Sequence, residues 1–195
     1  MNLEARQSIL EAAFDLFHER GYNGVSMENV ASAAGIKKAN LFYYYPRKEN
    51  LALAMLEHGS KPVIEEVTHL FSRHDMEPAE VVERFFADTV LRMSRTGCRR
   101  GCPFGNLAQE ISDVNEVLRI RVSRGLYSLT SDLTRHFEQW RDKGYFRDGF
   151  DPAGTAQAVI CLHQGAQLCA KAHKDVAVLE SAGRMAVACL KDAKA

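Results

Sequence analysis

The chain has 195 residues, 46% hydrophobic and 26% charged, with 25 basic and 25 acidic side chains and a formal net charge of zero. This is enough apolar chain for a real core, which excludes a disordered or staple-dependent mini-protein, and neutrality excludes any global field drawing the molecule to nucleic acid or anionic lipid. A polyanionic partner must therefore be met by a local patch. No apolar run approaches the ~18 residues of a membrane span, and the N-terminus, with Glu4 and Arg6, lacks the apolar stretch of a secretory signal. A cytoplasmic protein with no membrane partner is expected, its five cysteines present as thiols.

Helical periodicity runs along the whole sequence, and prolines 46, 62, 78, 103 and 152 fall at or near its breaks, so the predicted class is all-α. Leu3 to Arg20 places Ile9, Leu10, Ala13, Phe14 and Phe17 on one face, closed by Gly21 as a left-handed cap. Ser26 caps a short second helix with Met27, Val30, Ala31 and Ala34 inside, and Gly35 ends it. A third runs from Lys38 to Tyr45, stopped by Pro46. Further helices are predicted at 48–72, 78–96, 106–112, 115–141, 153–172 and 176–191, with Pro62 expected to kink or split the first of them and to act as a hinge.

Two short helices joined by a tight turn form a helix-turn-helix when the second is exposed in front and firmly buried behind. With Leu41 inward, Ala39 and Tyr43 point nearly opposite and Asn40 and Phe42 flank them. Ala39 allows close backbone approach, Asn40 offers donor and acceptor to a base edge, and Tyr43 and Tyr44 reach phosphates through their hydroxyls. From Asn29 through Lys48 the cations Lys37, Lys38, Arg47 and Lys48 meet no acid, which is the local patch that neutrality demands. A generic turn in an all-α protein has the same shape.

The segments Ile9-Leu10-Glu11-Ala12-Ala13, Leu16-Phe17, Gly21-Tyr22, Ser26-Met27, Val30-Ala31, Ala34-Gly35-Ile36, Leu41-Phe42-Tyr43-Tyr44-Tyr45-Pro46 and Lys48-Glu49-Asn50-Leu51 resemble, in order and spacing, the DNA-binding domain of TetR-type transcriptional regulators. The resemblance implies a three-helix DNA-binding domain at 1–47 and a helical ligand-binding and dimerisation domain at 48–195. It implies a dimer on a pseudo-palindromic DNA operator, released by a small-molecule inducer, as in the family's repressors. It places Ser26, Tyr43, Tyr44 and Lys48 at phosphate-contacting positions, and Lys37, Lys38, Ala39, Asn40 and Phe42 near the bases. The family commonly carries Ser or Thr where Lys37 stands, Thr at Asn40 and His at Tyr44, so no operator sequence carries over.

In the C-terminal half, helices 153–172 and 176–191 are rich in small residues, and Leu179, Ala182, Met185, Ala186, Cys189 and Leu190 form an apolar stripe. They suit either an internal hairpin or a homodimer interface, and the resemblance favours the homodimer. The stretch Gly97 to Glu110 stands out because Cys98 and Cys102 lie among Arg92, Arg95, Arg99 and Arg100, and cations favour the reactive thiolate. If the two thiols share a helix, their spacing resists a disulfide. Its Gly-Cys-Pro-Phe-Gly-Asn-Leu-Ala segment resembles a subgroup of TetR-like repressors whose cysteine loop borders the pocket and some of whose members respond to electrophiles.

Two readings of Cys102 stand side by side: a small residue in a tight turn, or a sensing thiol. Cys102, Phe104, Arg92, His163 and Gln167 form the candidate ligand set, and His163 is expected to find either a hydrogen-bond partner or a ligand. Cys161, Cys169 and Cys189 are expected to pack in the core. No CxxC or HExxH pattern is present, so no metal or cofactor is expected. A thiol-dependent redox enzyme built on Cys98 and Cys102, or a helical interaction module, are the rival classes, and both leave the N-terminal motif idle.

Overall fold

In the computed structural model, residues 3–195 are described, and among them the regular structure is helical, joined by one isolated antiparallel bridge between Phe146 and Lys194. The helices are α1 Leu3–Arg20, α2 Met27–Ala33, α3 Lys38–Tyr44, α4 Lys48–Phe71, α5 Pro78–Arg95, α6 Pro103–Ile111, α7 Glu116–Asp142, α8 Pro152–His173 and α9 Ala177–Asp192. Local chemistry sets their ends. Gly21 and Gly35 take φ +80° and +66°, backbone that glycine enters without strain. The Ser26 hydroxyl accepts from the Asn29 N–H at 3.1 Å while Asn29 Oδ1 accepts from the Ser26 N–H at 2.9 Å, a reciprocal capping box. Pro78, Pro103 and Pro152 each open a helix, where the missing N–H costs nothing.

Two expectations are corrected. Pro62 does not split the helix: α4 runs through it as one element, a proline's loss of one intrahelical bond being outweighed by burial of Leu56, Val67 and Phe71 on either side. The sixth helix begins at Pro103 rather than 106, on the proline itself. The predicted helices left Cys98 and Cys102 between them, and the two thiols share no helix: α5 ends at Arg95 and residues 96–102 form a loop in which Gly97, Cys98 and Gly101 all have positive φ.

The chain divides into two compact units, Met1–Val63 with Pro103–Arg124, and Ile64–Cys102 with Gly125–Ala195. The first buries Ile9, Leu10, Ala13 and Phe17 of α1 with Val30, Leu41, Leu51 and Leu56, together with Phe104, Leu107 and Ile111 of α6. The second is built on Phe71, Phe85, Phe86, Leu133, Phe137, Ile160, Leu179 and Leu190. Here Gly183 explains one close approach: a Cβ there would stand 2.9 Å from the Phe86 Cβ, so α5 and α9 meet at that point only because the side chain is absent.

Candidate DNA-contacting face and ligand cluster

Leu41 is completely buried, which pins the back of α3 and turns the rest of the helix outward. Lys37, Lys38, Ala39, Asn40, Phe42 and Tyr43 are exposed, Tyr43 at 80%, and Tyr44 is half-buried. Tyr43 and Tyr44 lie edge to face, ring centroids 5.5 Å apart. Tyr45 is inside, where its hydroxyl accepts from Arg6 Nε at 3.2 Å. A small, polar and aromatic surface is thus carried on a rigid back.

The cations behave less uniformly than their spacing suggested. Lys38 is ion-paired with Glu28, the second residue of α2, and its ammonium also lies 5.8 Å from the centre of the Phe42 ring. Arg47 reaches Glu49 at 3.3 Å and Asn50 Oδ1 at 3.3 Å. Lys48 is half-buried, its Nζ 4.3 Å from the centre of the Tyr22 ring, and burial lowers its pKa against the opposing pull of Glu110. Among the described residues Lys37 has no acidic partner. Ser26 sits where expected, at the start of α2, with its hydroxyl engaged in the cap.

One contributor was invisible to sequence reasoning. Glu110, in the last turn of α6, accepts from the backbone N–H of Tyr22 at 2.9 Å and of Asn23 at 2.8 Å, two donors of the loop that follows α1. Asn106 donates to the His18 carbonyl at 3.4 Å, and Asn115 to Glu49 at 2.7 Å. Nothing in the sequence signals these pairings, which span 66 to 88 residues.

In the second unit, Arg92, His163 and Gln167 do come together, through Thr89. Gln167 Nε2 donates to His163 Nδ1 at 3.1 Å, so the proton of the neutral ring lies on Nε2, which donates to Thr89 Oγ1 at 3.0 Å. Arg92 donates to the same oxygen at 2.8 Å, and the Thr89 hydroxyl donates in turn to the Phe85 carbonyl at 3.1 Å. Arg92 also pairs with Glu66 at 3.3 Å, an acid from α4 that the acid-free stretch around the thiols concealed. Burial, and secondarily the charge of Arg92, pushes His163 down to about 3, so it is neutral at physiological pH. Its ring stacks on Phe85 with centroids 4.0 Å apart. The expected partner of His163 is therefore protein, in a series of bonds that runs from Gln167 through His163 and Thr89 to the Phe85 carbonyl.

Of the remaining candidates, Cys102 is half-buried and immediately precedes α6, while Phe104 is buried in α6 with the Arg121 guanidinium 5.7 Å from its ring centre. Cys98 is buried with φ +55°, and its carbonyl accepts from Lys174 Nζ at 3.4 Å. The expectation that Cys161, Cys169 and Cys189 pack in the core is overturned: all three are exposed on α8 and α9, because the Ala- and Leu-rich faces carrying them have no cover within the protomer. No disulfide and no metal-binding cluster occurs among the described residues, nor a helix long and apolar enough to cross a membrane.

An exposed helix on a buried back, preceded by a capped short helix and followed by an all-helical bundle, is the arrangement of a helix-turn-helix protein. Comparison with known proteins gives the same class. The pattern of bacterial regulatory proteins of the tetR family matches residues 9–55, and that of tetracyclin repressor-like C-terminal domains matches residues 78–186. The chain is 24% identical to the HTH-type transcriptional repressor NemR of Escherichia coli over 179 residues, covering 92% of this chain and 90% of that one. Among solved structures, a regulatory protein TetR from Rhodobacter sphaeroides superposes with a TM-score of 0.86 at 26% identity, covering 94% and 97% of the two chains. The reduced form of E. coli NemR superposes at 0.83 and 25% identity, covering 98% and 97%. The chain belongs to the tetR family of bacterial regulatory proteins. It is a DNA-binding, ligand-responsive transcriptional regulator that works as a dimer.

Proposed function

We propose that the protein is a repressor that holds a pseudo-palindromic operator through α3 of two protomers and lets it go when a small molecule acts on the second unit. The observation that carries this reading is the orientation of α3: Leu41 fully buried, with Ala39, Asn40, Phe42 and Tyr43 facing out. On this reading Tyr43, Tyr44, Ser26 and Lys48 position the helix on phosphates, and Lys37, Lys38, Ala39, Asn40 and Phe42 face the bases. The curated relative NemR is itself named a repressor. The two protomers join through α8 and α9, whose Cys161, Leu162, Leu168, Cys169 and Met185 form an apolar face exposed on the single chain. Half-sites demand recognition helices spaced by about one helical turn, ~34 to 36 Å, so a small change carried along α4 suffices for release. A mobility-shift titration on DNA from upstream of its own coding sequence tests the reading: preference over a mixed-sequence duplex, falling steeply with salt, supports it, and no preference sinks it.

The released state is reached through Cys102 on this proposal. The thiol stands directly before the first turn of α6, where the positive end of the helix dipole favours thiolate and hence attack on an electrophile. Arg92, committed to Thr89 and Glu66, serves the His163 cluster rather than the thiol. Cys102→Ser is expected to retain operator binding and lose release by a thiol-alkylating electrophile such as N-ethylmaleimide. Release of that variant at wild-type electrophile concentrations would return Cys102 to a packing role.

A further inference from the structure

At the Glu28–Lys38 ion pair an acid from α2 meets the first cation of α3, and Glu28 is tied into the surface more firmly than an isolated surface acid. Its carboxylate meets the Lys38 ammonium across the turn between α2 and α3, and both side chains are more than half exposed. Lys38, by hydrogen bond and charge, holds the Glu28 carboxyl below its ordinary range, with a smaller contribution from Ser26, two residues before it and already held in the capping box with Asn29. Lys38 opens α3 and is further steered by the Phe42 face, one turn on. Arg47 and Lys48 are likewise engaged, by Glu49 and by the Tyr22 ring. The positive charge on this face is therefore largely spoken for.

Phosphates are the same on every sequence, so each cation released to them raises affinity for all DNA alike and adds nothing to discrimination. We infer that Glu28 is a positioning residue for specificity: it holds Lys38 off the phosphate backbone, keeping affinity for non-operator DNA low so that the outward face of α3 decides which duplex is bound. The inference rests on α3 being the DNA-contacting helix.

The test compares wild type with Glu28→Gln on two duplexes of equal length, one from upstream of the protein's own coding sequence and one of mixed sequence, across a salt series. Glu28→Gln is expected to bind the mixed-sequence duplex more tightly, about threefold or more at 0.1 M salt. Its dependence of log affinity on log salt is expected to steepen by about 0.9, the signature of one added phosphate contact. The ratio of upstream to mixed-sequence affinity falls accordingly. The double variant Glu28→Gln, Lys38→Gln should return the mixed-sequence affinity and its salt slope to wild-type values, a reversal that altered helix stability would not produce. An unchanged slope and ratio, a gain that survives loss of Lys38, or weaker binding of the upstream duplex alone would each overturn the inference. Wild type failing to bind either duplex would instead strike the assignment of α3 itself.

Discussion

On α3, Asn40, Phe42 and Tyr43 stand in solvent, the amide and the hydroxyl open to an outside partner, whereas Thr89, His163 and Gln167 are buried in the second unit and hydrogen-bonded in series. Both clusters combine aromatic rings with polar groups, and both sit on helices. The difference is the back. Leu41 alone anchors α3, so its other faces are left for recognition, while α8 buries Val159, Ile160, His163, Ala166 and Gln167 between its neighbours and must satisfy every polar atom from within. A sequence that places polar residues on a helix thus says little until the cover over that helix is known.

The sharpest way to break this comparison is to remove the ring at the centre of the closed cluster. His163→Ala takes away the partner stacked on Phe85 and strips a hydrogen bond from both Thr89 and Gln167. Its expected cost is about 3 to 5 kcal/mol in urea unfolding, from the cavity and the unpaired polar groups together. A loss below about 1 kcal/mol would mean the cluster tolerates water and is open in the way α3 is.

Acid sharpens it next. The unfolded imidazole takes its proton near 6.5 and folded His163 only near 3, so as pH falls between these values the unfolded state binds the proton first. Stability from this residue is constant above the upper value and is lost below it, by at most about 1.4 kcal/mol per pH unit. His136, pushed by burial to about 4 and donating from Nδ1 to the Phe71 carbonyl at 3.1 Å, adds a second slope of the same sign over a shorter range. Urea midpoints measured from pH 7 to pH 4 should fall less steeply for His163→Gln than for wild type. Parallel curves would show that this histidine titrates normally.

The open cluster answers to a smaller change. Tyr43→Ala, at a residue 80% exposed, is expected to leave unfolding within about 0.5 kcal/mol of wild type. It should weaken operator binding about tenfold, near 1.4 kcal/mol, in the same mobility shift. Lost stability with unchanged affinity would place Tyr43 in the fold and not on DNA.

The N-terminal helices were legible because their signals are local: Gly21, Ser26, Gly35 and Pro46 fix the ends of α1, α2 and α3 within one residue. Pro103 carried the same kind of signal for α6, as a helix-opening proline, and the predicted start at 106 passed over it. What stayed hidden acts across the chain. Glu28 lies ten residues from Lys38, on a different helix, and the acid-free run from Asn29 to Lys48 stops one position short of it. The thiols of Cys161, Cys169 and Cys189 sit among Ala, Val and Leu, a composition that fits a core and an uncovered interface equally well. His163 was the intermediate case, since cost alone required a partner while its identity, Thr89, lay 74 residues away.

Glu110 bears on any attempt to make the DNA-reading head portable. The donors it captures, at Tyr22 and Asn23, follow Gly21, and a Cβ added to that glycine would lie 2.2 Å from the Glu110 carboxylate. A chimera cut after α3 would carry the glycine and both open donors to a new host without the side chain that closes them. Grafting this head means transplanting two stretches of sequence, with 103–124 travelling alongside the N-terminal helices, and the host must offer its own chain at both seams.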